Sequence, residues 1–216
     1  MLNFYFKWTK NTIGLLLLSV IFIVLAFILP IEYSYENHLL ENLEVVILTL
    51  GLVLNIKMIF NTELYDSIKF YIASAIIYLL MIGRELSWGR VFYPIGIDNN
   101  GEQIFIKVQE LWYGAVVYPT VGILIIVALI LLGYFGYQCR KKGIRVDIPL
   151  ETVVLFFIMS ILSQCVFDRG LIHILANYNQ LLEENCEILA YISLVICSYK
   201  ISFRKVYIRI KYFSMI

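Results

Sequence analysis

The chain has 216 residues, 61% of them hydrophobic and 15% charged, with a formal net charge of +1 and a mean hydropathy of +0.84. A soluble domain of this length needs more polar residues to cover its surface. A transmembrane β-barrel alternates apolar and polar residues along short strands, whereas the apolar residues here come in unbroken runs. The expectation is an all-α integral membrane protein, a bundle of about six transmembrane helices forming a single domain over residues 1–216, because helices satisfy their backbone polar groups internally.

A helix crossing the hydrocarbon layer takes about 20 residues, and six segments reach that length. They lie near 12–30, 43–60, 70–88, 111–136, 148–167 and 184–200. Lys7 and Lys10 precede the first, and the run Ile13–Leu29 has no A-x-A-like site after it, so it reads as an uncleaved span rather than a signal peptide. The second opens at Glu41 and Glu44. The third has a short apolar core, Phe70–Ile82, and reaches spanning length only by taking in Gly83, Arg84 and Glu85. The loop that follows holds Pro94-Ile95-Gly96 and Asp98-Asn99-Asn100-Gly101, turn formers that fit a short hairpin lying on the membrane. Pro119 is expected to kink the fourth span. Asp168 and Arg169 close the fifth, and Glu184 and Glu187 open the sixth. The tail from Lys205 to Phe213 mixes basic and aromatic residues, and reads either as an interfacial segment near anionic lipid or as an ordinary basic tail.

Loop charges orient the bundle. With the N-terminus inside, 13 of the 17 Lys and Arg residues fall on the cytoplasmic side, and 12 of the 16 Asp and Glu residues fall outside. Both termini are therefore expected in the cytoplasm. Usage of Ile, Lys, Asn and Tyr resembles that of AT-rich bacterial genomes, which places the chain in a bacterial cytoplasmic (inner) membrane.

Charged groups beside spans face bundle interiors or watery cavities, and here they gather at the outer boundary. Glu44, Arg84, Glu85, Asp168, Arg169, Glu184 and Glu187 are the candidate ligand-binding residues, with Ser87 and Trp88 beside them. Glu41/Glu44 and Glu184/Glu187 are i,i+3 pairs on single helix faces. The arginines are too few to neutralise all the carboxylates, so the surplus must bind a cation, take up protons or reach water. The helix dipole alone explains glutamates in first turns, but not Glu85 and Asp168, which sit at the far ends of their spans. No metal or cofactor is expected, since His38 and His173 cannot make a three-histidine zinc site and the cysteines show no C-x-x-C spacing. Cys165 and Cys186 both lie near the outer face, where either a disulfide or two separate thiols fits.

Two sequence likenesses bear on the same residues. Tyr35–Glu44 aligns without gaps to Tyr178–Glu187, matching at five of ten positions, which would fit a duplicated helix pair as in many transporters. Arg84-Glu85-Leu86-Ser87-Trp88-Gly89-Arg90 resembles an E-E-x-S-W-G-Q-R motif found in a group of bacterial multipass membrane proteins. Glu183-Glu184-x-x-Glu187 resembles a second acidic motif of that group. Arg84 stands where the group has a second acid, and the Gln before the Arg is missing. The resemblance implies that Glu85, Ser87, Trp88, Gly89 and Glu187 form one site.

Three functions follow as rivals. The first is binding or transport of a cation or cationic small molecule, with Glu85, Asp168, Glu184 and Glu187 as ligands, Arg84 and Arg169 as counter-charges and Trp88 as an aromatic wall. The second is an intramembrane enzyme acting on lipid or lipid-linked substrate at the outer leaflet, with carboxylates as acid and base. The third is a non-catalytic partner, an assembly factor or immunity protein docked on another membrane protein. Beyond these, membrane lipids are the expected partners, and no nucleic-acid partner is expected. Transport requires a polar path through the bundle. An enzyme requires two carboxylates on one lipid-facing cavity, and a partner protein requires charges that are paired throughout.

Overall fold

A computed structural model describes residues 2–6, 10–98 and 101–205. It is mostly helical, at 74%. The elements run β1 (Leu2–Tyr5), α1 (Lys10–Leu25), α2 (Leu39–Asn61), α3 (Tyr65–Glu85), a hairpin of β2 (Pro94–Ile97) and β3 (Gln103–Phe105), α4 (Gly114–Lys142), β4 (Ile144–Pro149), α5 (Leu150–Ile161), α6 (Asn179–Lys200) and β5 (Ser202–Lys205). A π-helix, Leu162–Phe167, continues α5.

Among the described residues, four helical stretches are long and apolar enough to cross a membrane: 31–61, 65–85, 114–142 and 150–167. Their length follows from composition, since uninterrupted Leu, Ile and Val leave nothing to stop a helix in lipid. The apolar stretch of α1, Thr12–Leu25, is shorter. The sixth helix differs for another reason. α6 packs against α1, α2 and α5, and every residue from 185 to 191 is buried. A helix enclosed on all sides by protein needs no lipid-facing stripe, so α6 carries Asn185, Glu187, Tyr191 and Ser193 inside the bundle.

Association of helices in lipid rests on close packing and hydrogen bonds, because lipid tails are as apolar as leucine. α2 and α3 show this at Gly51, where an added Cβ would lie 2.2 Å from the ring of Tyr78. Tyr78 reaches across to Ser198 on α6, with 3.0 Å between the hydroxyls. The shared core centres on Leu48, Ile188 and Leu189, all fully buried.

The structure also holds strands, which an all-helical expectation omits. β4 pairs in parallel with β1 and antiparallel with β5, so the N-terminal strand, the α4–α5 connection and the segment after α6 meet at one end of the bundle. Lys142 joins Asp66 there at 2.8 Å, tying α4 to the start of α3. In the same sheet Asp147 accepts bonds from Asn3 at 2.7 Å and Arg145 at 2.8 Å. Burial alone would raise the Asp147 carboxyl, but these donors hold it below its ordinary value. The expected hairpin is present as β2–β3, antiparallel with an irregularity between Pro94 and Gly96. Pro119 lies within α4, and all four cysteines are free, Cys165 exposed and Cys186 buried. The expected interfacial segment after Lys205 lies outside the described residues, as does Lys7.

Candidate functional site

The site is at the end of the bundle away from the sheet, where α2 and α6 begin and α3 and α5 finish. Glu44, Glu85 and Glu187 are all buried there, and one carboxylate oxygen of each lies within 4.8 Å of the other two. Glu44 and Glu187 occupy equivalent places in the two aligned segments of the sequence, so the packing of α2 on α6 brings the matched residues together.

Two of the three glutamates are well supplied with donors. Glu187 accepts Ser163 Oγ at 2.9 Å and the Gln164 amide on Oε1. Its Oε2 accepts Arg84 Nη2 at 2.7 Å and the Tyr191 hydroxyl at 3.2 Å. Glu85 Oε1 accepts Arg84 Nε at 2.9 Å and Tyr191 at 2.6 Å. Arg84 thus bridges both carboxylates, and also donates to the Tyr191 oxygen at 2.6 Å. Glu44 differs. Its side chain is fully buried, and among the described residues neither oxygen receives a hydrogen bond from a donor; its polar neighbour is the Glu85 carboxyl, which can bond to it only by sharing a proton. One guanidinium faces three carboxylates.

Local folding explains the geometry. Arg84 ends α3, where the dipole favours a cation. The π-helix inserts an extra residue per turn, marked by the Asp168 N–H donating to Ser163 O at 2.9 Å, and it aims both Ser163 and Gln164 at Glu187. Such insertions occur often at functional sites. After α3 the chain reverses through three consecutive left-handed residues, Ser87 (φ 44°), Trp88 (φ 56°) and Gly89 (φ 89°). Non-glycine residues in that region store about 1–3 kcal/mol each. Gly83 is needed because the folded-back Trp88 ring would sit 2.4 Å from any Cβ there.

The remaining candidates are distributed differently from the expectation. Asp168 and Arg169 are exposed and take no part in the cluster; Ser163 and Gln164, one turn earlier in the π-helix, bond to Glu187. Trp88 is no wall for the glutamates. It lines an apolar cavity of about 520 Å³ between α3 and α4, together with Gly83, Gly89 and Tyr113. Ser87 donates to Glu36 at 2.9 Å, and Arg90 clasps the same carboxylate with bonds of 2.6–3.0 Å. Glu184 is half-buried on α6. Glu41, in the first turn of α2, accepts the Asn37 N–H. His38 precedes α2 without a side-chain cap bond, and His173 is exposed.

Sequence reasoning missed Glu36, Ser163, Gln164 and Tyr191. Tyr191 was within reach, since it lies i+4 from Glu187 on one face. The others carry no local signal, because their partners are far away in the chain. Comparison with protein-family models, with curated proteins and with solved structures finds no match.

Proposed function

We propose that this chain is a multipass protein of a bacterial cytoplasmic membrane, with six spans and both termini inside, that binds a cation at Glu44, Glu85 and Glu187 near its outer face. The observation that carries the reading is Glu44, a fully buried carboxyl without a donor to either oxygen. Leaving such a group charged and unpaired is prohibitively costly. It holds a proton when nothing else is bound, and a cation otherwise. The orientation is supported by the basic loops assigned to the cytoplasm, and the sheet of β1, β4 and β5 agrees with the two ends of the described chain lying on one side.

The rival readings have less support. Beneath the cluster Leu48, Ile188 and Leu189 are fully buried in the apolar core, which favours binding over conduction. A docking partner would have its buried charges paired, and Glu44 is not. An acid–base enzyme would present two of these carboxylates to one cavity. The groove beside the site, between α3 and α5, is lined by Glu187 but not by Glu44 or Glu85.

The test is a thermal-shift series on purified wild type and Glu44→Gln with monovalent and divalent cations and a methylammonium salt. A cation bound only by the folded state stabilises it by about 2.7 kcal/mol at a hundred times its Kd. The reading predicts at least one cation that raises the wild-type Tm and leaves Glu44→Gln unmoved. Equal responses of the two proteins to every cation would overturn it.

A further inference from the structure

The site has a side entrance. α3 and α5 flank α6 without extensive contact between them, and the gap forms a groove of about 170 Å³. Arg84, Gln164 and Glu187 line its polar end, and Met81, Phe156 and Ala190 line its apolar end. Arg84 bonds to Glu85, Glu187 and Tyr191, yet its side chain remains 48% exposed. Toward the outer surface, by contrast, Glu36 is clasped by Arg90 and Ser87, which joins the loop before α2 to the turn after α3. The groove therefore faces the neighbouring helices' lipid side, polar near the bilayer boundary and apolar further in. That is the profile of a bound amphiphile.

Charge and geometry define its head. Three carboxylates and one guanidinium leave the cluster short of positive charge, and Glu44 has no donor at all. An anionic head with no cationic group would add to the surplus, and an uncharged one would leave it. A primary ammonium carries three N–H donors with charge-assisted bonds of about 2.7–2.9 Å. Three oxygens within 4.8 Å of one another fall within the reach of one such group. A quaternary ammonium has no N–H to give them.

Resting on the cation reading above, we propose that the ligand is a membrane lipid with a primary-amine head group, entering sideways between α3 and α5. Its amine enters past Glu187, the one of the three glutamates that lines the groove. It comes within reach of Glu44 and Glu85 as the half-exposed Arg84 side chain swings aside, with the start of its apolar part against Met81, Phe156 and Ala190.

The experiment uses full-length protein in phosphatidylcholine nanodiscs, with retained lipid measured by native mass spectrometry. Phosphatidylethanolamine, its N-methyl and N,N-dimethyl forms, and phosphatidylglycerol compete at equal mole fraction. On the wild type, retention should fall at each lost N–H, with phosphatidylethanolamine at least tenfold above phosphatidylglycerol. Glu44→Gln should abolish the preference. Ser160→Trp, which fills the groove, should abolish it too while keeping the Tm response to the small cation. Equal retention of all head groups by the wild type overturns the proposal, as does a full preference in Ser160→Trp. If the wild type responds to small cations but shows no head-group preference, only the lipid assignment fails. If it responds to neither, the cation reading fails with it.

Discussion

Glu187→Gln and Glu44→Gln are the same chemical change on carboxylates whose oxygens lie within 4.8 Å, and their costs to stability should be very different. Glu187 accepts four donors, from Arg84, Tyr191, Ser163 and Gln164. A glutamine amide has one oxygen and one NH₂, so on one side the two bonds to a charged oxygen are lost. The N–H donor there, from Arg84 or Gln164, would face another donor, and the hydroxyl beside it would have to turn and accept. Hydrogen bonds to charged groups contribute about 1.5–3 kcal/mol each. Two such losses would cost about 3–6 kcal/mol. The half-exposed Arg84 lowers its share, giving about 2–4 kcal/mol. For a chain of this size each kcal/mol moves Tm by about 2–4 °C, so Glu187→Gln should melt roughly 4–16 °C below wild type. Glu44→Gln removes no donor, because Glu44 has none, and keeps the side-chain volume. Without added cation it should melt within about 2 °C of wild type. Thermal unfolding in one detergent, at one pH and free of added cations, provides the comparison. A Glu44→Gln loss as large as that of Glu187→Gln would refute the reasoning, since it would mean that ionised Glu44 is held by donors the structure does not contain.

Gly51→Ala pushes a methyl into Tyr78 and should cost about 1–3 kcal/mol by overpacking; Gly122→Ala, with open space around it, should be neutral or slightly stabilising. Both read out as Tm. Arg90→Met removes the clasp on Glu36 and frees a strained turn, so limited proteolysis should cut faster in 34–38 or 87–93 with the helices still intact. For Asp147 the folded-state value lies below the ordinary 3.8. Its contribution is therefore present above that pH and is lost as pH falls through the lower folded value. Tm measured across pH 2–6 should decline less steeply for Asp147→Asn than for wild type.

Much of the helical scaffold was legible because lipid imposes a simple rule, that a spanning helix is a long apolar run. α2, α3, α4 and α5 with its π-helical continuation follow it. α6 obeys a different constraint, being enclosed by other helices, and its polar residues are the interior of the site. Glu44, Arg84, Glu85 and Glu187 could be singled out because a charge near lipid is costly wherever it occurs. What the sequence could not show was pairing. Glu36 reaches Ser87 and Arg90 across about fifty residues, and Ser163 and Gln164 face Glu187 only because a π-helix shifts the register. Asp168 and Arg169 had the same sequence credentials as Glu85 and Arg84, and that register shift leaves them outside. The strands β1, β4 and β5 are too short, and too close to helix ends, to leave a periodic signal.

The central claim is that Glu44 carries a cation, and a proton when no other is present. Infrared difference spectroscopy of the purified, cation-free protein at neutral pH addresses it directly, through the carbonyl stretch that only a protonated carboxyl displays. Wild type should show a component of that band which Glu44→Gln lacks and which is lost when a binding cation is added. Identical spectra for the two proteins in that region would contradict it.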